Sequence, residues 1–343
     1  MVKRHKLEEI EAAVEHTHNG LGQACMAALI SAKARKCFLL VAPPGTGKST
    51  ITDSILNNFK PSISRDAGSM AGFRHIAAML TNLEGTIVVD DIAILGSTYA
   101  MLSTISAYAA LTYTHNLSRD MADSHYQISD FHAGVVMNVQ PIVLKHIVPS
   151  PVWEANIKDK TIRYYHLYRP QHPTIEKVQY EIGKHLPLAK VAFNGIADKY
   201  MRDIEDTFSP QWSISRVNQH VQDLLKAIAA LDESPEVRNQ DVELLLRVFA
   251  PLKLEKYAMF KRDLEEGREF NATLILLLTE LASYGKFELS RIQRNYEVSQ
   301  STAYAILNKY KQYVDITNKT PTYYVASELA KKIFADIGVK YAD

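Results

Sequence analysis

Cysteine is scarce. The 343-residue chain holds two, Cys25 and Cys37, in no CxxC or Cys/His spacing, which argues against a disulfide scaffold and against a zinc site, and fits a reducing compartment. An excess of one charge is also lacking: 39 Lys and Arg stand against 38 Asp and Glu, a formal net charge of +1. That balance argues against a surface coated in indiscriminate nucleic-acid affinity, so any contact with DNA has to be local. Long hydrophobic runs are missing as well. The longest, "NATLILLLTELA", is too short to span a bilayer, and the opening "MVKRHKLEEIEAAVEHTHNG" lacks the apolar stretch and small-residue cleavage site of a signal peptide. The expectation is a soluble, cytoplasmic chain with no membrane partner and, at this length, two or three domains.

What is present is a strand, a loop and a helix in immediate succession. "CFLLVA" reads as a buried strand, Ala42-Pro43-Pro44-Gly45-Thr46-Gly47-Lys48-Ser49 is the P-loop pattern with Ala at its usual first Gly, and "STITDSILNNF" has apolar residues at helical spacing. The residue types match the chemistry of holding phosphates. Gly45 and Gly47 let backbone N–H groups turn inward, the helix start adds the positive end of a dipole, and Lys48 brings a charge to the β and γ phosphates. Pro44, Thr46 and Thr50 complete the expected ATP-binding stretch, with the Ser49 hydroxyl expected on Mg2+. A second element supports the first: "GTIVVDDIAIL" is an apolar strand ending in Asp90-Asp91, as expected of a Walker B strand beside the P-loop strand. Asp90 would hold the magnesium through water and Asp91 would orient the attacking water, which makes the expected activity ATP hydrolysis.

The pair of motifs resembles that of AAA+ ATPases, with Asp91 where that family usually has Glu. The resemblance implies an α/β fold: a P-loop NTPase core of parallel sheet flanked by helices over residues 1–170, an α-helical lid over 171–265 with the boundary near Pro170 to Pro173, and a winged helix-turn-helix over 266–343. Within the core it implies a polar sensor residue at the end of the strand "HAGVVMNVQP", for which Asn138 and Gln140 both qualify, Gln140 being favoured by its spacing from Pro141. It also implies an exposed arginine finger near the start of "TIRYYHLY", with Arg163 the candidate and Lys160 and Arg169 its rivals. The stretch "SISRVNQHVQDLLKAIAALDESPEVRNQDVELLLRVF" reads as helix, loop and helix. It is similar to the lid of minichromosome maintenance (MCM) helicases and MoxR-type ATPases, which would make Arg216 a γ-phosphate sensor. "PLKLEKYAMFKRDLEEGREF" reads as a further helical segment.

The remaining residues, from Asn271, read helix, helix, tight turn "YEVSQ", helix, two short strands around "NKTP", and helix, the order of a winged helix-turn-helix. The third helix is expected from Ser299 to Tyr313, with Ala303, Ile306, Leu307 and Tyr310 on its apolar face. Gln300, Ser301, Thr302 and Tyr304 stand where base edges are read, and Lys309, Lys311 and Lys319 are candidates for phosphates. Within "NLSRDMADSHYQISDF" a hairpin could push on DNA, with Arg119 as a backbone contact. Taken with the AAA+ resemblance, these features imply an oligomeric ring, expected to be a hexamer, acting on single- or double-stranded DNA in replication as helicase, initiator or loader, alongside other replication proteins. The alternatives are an ATP-switched DNA-binding scaffold of the transposition-regulator type and a MoxR-like protein-remodelling chaperone.

Overall fold

The computed structural model describes residues 6–58, 62–65, 70–121, 124–170, 185–261, 268–317 and 321–341. Helices α1 (Lys6–Thr17) and α2 (Gly22–Lys33) lead into β1 (Cys37–Val41), whose five residues are all buried, as a strand covered on both faces requires. Next come α3 (Lys48–Asn58), β2 (Ser62–Arg65), α4 (Met70–Leu80), β3 (Glu84–Val89) and α5 (Thr98–Thr114). Ser97 caps α5 by accepting from the Ala100 N–H, which satisfies a donor that the first turn leaves free. The hairpin β4 (Leu117–Met121) and β5 (Ser124–Ile128) precedes β6 (His132–Val139), α6 (Pro141–Ile147) and β7 (Thr161–Tyr165).

Strands β1, β2, β3, β6 and β7 form one parallel sheet in the order β2-β3-β6-β1-β7. The acidic strand β3 is therefore not beside the P-loop strand β1, as expected: the apolar β6, buried from Ala133 to Val139, pairs with both and stands between them. Side chains alternate between its two faces. Leu39 and Val41 join Ile87, Val89 and Met137 against Phe73 of α4 and Tyr108 of α5. Phe38 and Leu40 join Val88, Val136 and Tyr164 on the other face, against Leu29 of α2 and Ile51 and Ile55 of α3. Each such side chain contributes about 2 kcal/mol on full burial. The sheet is therefore the middle of three layers. Both cysteines are buried within it or against it as free thiols.

The next α-helices are α7 (Met201–Phe208), α8 (Ile214–Leu231) and α9 (Asn239–Phe249); α8 and α9 pack on α2, and α7 packs on both of them. The expected helix, loop and helix over 213–249 is present, with Asp241 accepting from the Arg238 N–H at 2.7 Å where α9 begins. The expected boundary near Pro170 to Pro173 falls largely in residues 171–184, outside the described residues. The further helical segment is different from the expectation. Helix α10 (Glu255–Ala258) is a single turn, followed by a hairpin of β8 (Met259–Lys261) and β9 (Arg268–Phe270). Burial of Phe270, stacked on Tyr165 at 6.2 Å between ring centres, outweighs the helical propensity of its neighbours.

The last described part comprises α11 (Ala272–Tyr284), β10 (Lys286–Phe287), α12 (Leu289–Tyr296), α13 (Gln300–Lys309), β11 (Val314–Ile316), β12 (Tyr324–Ala326) and α14 (Glu328–Asp336). Strands β10, β12 and β11 make a small antiparallel sheet. Helix α13 ends at Lys309, short of Tyr313, because the chain turns there, with the Tyr313 N–H donating to the Tyr310 carbonyl at 2.9 Å, to deliver Val314 to the sheet. Helix α11 packs against α6, and its Leu274 and Leu278 share a core with β1 and α5. Among the described residues no helix is long and apolar enough to cross a membrane.

Candidate functional site

In a parallel α/β sheet the carboxyl ends of the strands face one way, and ligand-handling side chains gather there. The register aligns four such ends. Val41 of β1 lies beside Val139 of β6 and Tyr165 of β7, and Val89 of β3 lies beside Met137 of β6. The next residues along each strand are therefore neighbours: Asp90, Asn138, the loop that starts at Ala42, and His166.

The loop of residues 42–47 turns at Gly45 and Gly47, whose φ values of +73° and +78° lie in the left-handed region that a Cβ disfavours. At Gly47 a Cβ would also stand 2.8 Å from Leu21. Thr46 is buried and its hydroxyl donates to the Pro43 carbonyl at 2.8 Å, while Pro44 and Gly45 are exposed. Helix α3 begins at Lys48, so its free N–H groups and dipole point into this loop. The Lys48 ammonium folds back to donate to the Ala42 and Pro43 carbonyls at 2.9 and 2.8 Å. Burial lowers its pKa to about 8, the nearby Arg169 adding to the shift and Asp91 and Asp90 opposing it. Thr50 lies one turn in, its carbonyl accepting from the Ser54 hydroxyl at 3.0 Å.

Asp90 is the meeting point. The Ser49 hydroxyl donates to its Oδ1 at 3.2 Å and the Asn138 amide donates to the same oxygen at 3.0 Å. Both candidates for the polar strand-end residue reach the acidic pair, each on a different carboxylate. Asn138, which is 1% exposed, holds Asp90; Gln140, at the rim, donates to Asp91 Oδ2 at 3.5 Å. The other oxygen of Asp91 accepts from the Ala93 N–H at 2.9 Å and caps the short turn that follows β3. Asn138 Oδ1 is buried with no hydrogen-bond partner.

Two supports of the loop come from the chain after β7. The buried His166 ring donates through Nε2 to the Thr46 carbonyl at 3.1 Å, and burial lowers its pKa to about 4, which keeps it neutral. Arg169 donates through Nη1 to the Pro44 carbonyl at 2.6 Å. Sequence reasoning passed over His166 and considered Arg169 only as a finger. The available signal was position: both follow the strand that neighbours β1 in the sheet.

Other expected site residues lie elsewhere. Arg163 is fully buried rather than exposed: its guanidinium pairs with Glu255 at 2.8 Å and donates to the Lys158 carbonyl at 2.7 Å, so it cannot serve as a finger toward a neighbour. The reason is that Gln211, Trp212 and Glu255 of the later chain close over the start of β7, turning the Arg expected to be exposed into core. Arg216 does not reach the loop within its own chain. It stacks 4.5 Å from the ring centre of Tyr113 and hydrogen-bonds its hydroxyl. Tyr113 lies at the end of α5, the crossover that returns from the carboxyl edge at Asp90 toward the amino end of β6. Beside it, Trp212 and His220 of the same segment hold the Thr161 and Asp159 carbonyls at the start of β7. Arg216 thus sits at the opposite edge of the sheet from Lys48.

Arg119 is exposed on the β4–β5 hairpin, opposite Tyr126. Gln300, Ser301, Thr302, Tyr304, Lys309 and Lys311 are exposed on α13 and the turn after it, while Lys319 lies outside the described residues. Ala303, Leu307 and Tyr310 are buried and Ile306 is half-buried, as the apolar face requires.

A cavity of about 810 Å³ is lined by Asn19, Gly20 and Gln23 ahead of β1, by residues 164–168, and by Arg247 and Tyr341; no residue of the 42–49 loop lines it, and His166, which holds Thr46, is its link to the loop. The chain matches no model of a known protein family and no curated protein sequence.

Proposed function

We propose that this chain is a P-loop ATPase of AAA+ type that binds ATP with Mg2+ and couples the nucleotide to work on DNA. The observation that carries the reading is the junction of Ser49, Asp90 and Asn138 at the carboxyl edge of a sheet in which β6 stands between the glycine-loop strand and the acidic strand. In that junction Lys48 leaves the two loop carbonyls to meet the polyphosphate, whose negative charge replaces them as its partner. Backbone N–H groups of the loop and of the first turn of α3 receive the phosphate oxygens.

The donors fit magnesium. Among the described residues no cluster of three His, Cys, Asp or Glu could enclose a metal, but Mg2+ is ordinarily held by one carboxylate, a hydroxyl, waters and the substrate's own phosphates. Ser49 and Asp90 supply such a pair of hard oxygens, and the unpartnered Asn138 Oδ1 can hold a water of the shell. Bound there, magnesium neutralises charge on the phosphate oxygens. Asp91 and Gln140, at the rim, orient a water for attack, and Asn138 keeps Asp90 in its rotamer. His166 both lines the 810 Å³ cavity and holds Thr46 of the loop, and that cavity is proposed to take the nucleoside.

The α8–α9 pair is proposed as the lid of the AAA+ resemblance, and α11 to α14 with β10 to β12 as a winged helix. Its α13 would present Gln300, Ser301, Thr302 and Tyr304 to DNA while Lys309 and Lys311 meet phosphates. In this reading copies assemble as a ring acting in replication. The test is ATP hydrolysis with and without single- and double-stranded DNA, on the protein and on Lys48→Ala, with oligomer size recorded under ATP. DNA-stimulated turnover that Lys48→Ala abolishes is the expected result; nucleotide binding that is indifferent to DNA sinks the DNA part.

One observation favours a second reading, a switch set by nucleotide binding with little turnover: Asp91 spends one carboxylate oxygen on capping the turn after β3. Slow hydrolysis with nucleotide-dependent DNA binding would decide for it.

A further inference from the structure

The loop's cationic equipment does not end with Lys48. Arg169 spans two parts of the molecule: Nη1 donates to the Pro44 carbonyl at 2.6 Å, and Nε lies 3.0 Å from Glu280 Oε1 of α11, an ion-pair contact without hydrogen-bond alignment. Its Nη1 would also stand 3.3 Å from a Cβ at Gly45, so the guanidinium lies across the exposed face of the loop. Arg169 retains partial solvent contact, with 18% of its side chain exposed, whereas Glu280 is 1% exposed.

Glu280 is a carboxylate held in the core of the last part of the chain by more than Arg169. Arg291 of α12 pairs with Oε2 at 2.9 Å and the Asn295 amide donates to Oε1 at 2.8 Å. Burial raises the Glu280 pKa while the two arginines oppose that rise. The Arg169 backbone is fixed as well, its N–H donating to the Ser283 hydroxyl at 2.8 Å. A buried carboxylate with charged partners from two elements is costly to assemble unless its geometry is held. Here that geometry aims a guanidinium at a loop shaped for phosphate.

We propose that Arg169 is a polyphosphate-binding residue of this site, supplied in the same chain, and that Glu280 is its positioning residue, so that the C-terminal part from Ala272 onward completes the nucleotide site. This rests on the reading of the loop as a phosphate site. The guanidinium presently satisfies the Pro44 carbonyl, a neutral acceptor; a phosphate oxygen is the stronger partner for a planar cation. Moving Nη1 onto phosphate while Nε keeps Glu280 links phosphate occupancy to α11 and α12. No bond is made or broken by this role.

The experiment is titration of the full chain with fluorescent ATP and ADP analogues, for the protein and for Lys48→Ala, Arg169→Ala, Arg169→Lys, Glu280→Gln and Arg169→Ala/Glu280→Gln. Circular dichroism and thermal melting check each fold. The expected result is that Arg169→Ala weakens both nucleotides by about tenfold or more, the worth of a charge-assisted hydrogen bond. Arg169→Lys recovers part of that, because it restores charge without the fork. Glu280→Gln weakens binding when Arg169 is present and has no further effect when it is absent; a merely structural carboxylate would cost the same in both backgrounds.

Should Glu280→Gln fail to fold, Ser283→Ala removes the other tether of Arg169 and is expected to weaken binding several-fold. If the unaltered protein binds ATP, Lys48→Ala does not, and Arg169→Ala binds as tightly as the unaltered protein, the inference is overturned and the loop reading stands. If the unaltered protein binds neither nucleotide, both are overturned.

Discussion

Arg163 and Glu255 form an ion pair sealed inside the protein: Nη2 meets Oε1 at 2.8 Å and Nε meets Oε2 at 2.9 Å, with the two side chains 0% and 1% exposed. The remaining guanidinium donors go to the Lys158 and Gln211 carbonyls, and the Tyr165 hydroxyl donates to Glu255, so the group is satisfied in place. Removing one partner leaves a buried charge unpaired. Arg163→Ala is expected to cost about 3–5 kcal/mol of stability in urea unfolding, and Glu255→Gln a comparable amount. A loss under about 1 kcal/mol, with turnover abolished, would return Arg163 to catalysis.

Lys48 predicts how nucleotide affinity follows pH. In the empty protein burial brings its pKa down to about 8, and polyphosphate beside it favours the charged form and raises that value. Below about pH 8 the amine is charged before and after binding, so affinity is level. Above it, binding must take up a proton, and affinity falls by up to about tenfold per pH unit. The empty protein moves the other way: from about 8 to the ordinary 10.5, the unfolded chain holds the proton and the folded chain does not, so stability from this group rises with pH. Affinity titrations between about pH 7 and pH 9.5, with calorimetric proton uptake in two buffers, check this. A flat profile would remove Lys48 from the phosphates.

Asn138 and Gln140 separate by what they hold. Asn138 is buried and donates to Asp90 at 3.0 Å, whereas Gln140 reaches Asp91 only at 3.5 Å. Asn138→Ala is expected to lower ATP turnover and its magnesium dependence together, by about tenfold to a hundredfold, the worth of a charged hydrogen bond. Gln140→Ala should lower turnover less and leave the magnesium dependence in place. Initial rates across a magnesium titration decide, and the reverse order would make Gln140 the sensing residue.

Arg216 is engaged with Tyr113 at the far edge of the sheet from Lys48. Arg216→Ala should therefore leave ATP affinity of the dilute, unassembled protein within about twofold of the unaltered protein, less than a single lost hydrogen bond costs. Equilibrium titration of the dilute protein, with its oligomeric state measured alongside, tests it. A tenfold loss there would mean that α8 swings to the loop when nucleotide arrives.

The parts legible in the sequence are those whose chemistry is contiguous. The loop between β1 and α3, the acid pair ending β3 and the polar ends of β6 each occupy a few adjacent residues, and short continuous apolar strands with helical spacing between them declare their own type. The α8–α9 pair was legible for the same reason. Arg163 was not: the alternation of "TIRYY" looks the same whether the strand is covered on one face or two, and only the later helices and α10 decide that. The hairpin β8–β9 escaped likewise, because Phe270 finds its partner in Tyr165, more than a hundred residues back.

Residue order alone therefore carried the loop, its lysine and the carboxylate beside it, since local backbone rules act over a handful of neighbours. Folding decided which cations attend that loop. It withdrew Arg163 into an ion pair and Arg216 to the opposite edge, and it brought in His166 and Arg169 with a carboxylate from α11. The physical reason is that a charged side chain goes where its desolvation is compensated, and the compensating partner is chosen by packing across layers, at separations that no local pattern records.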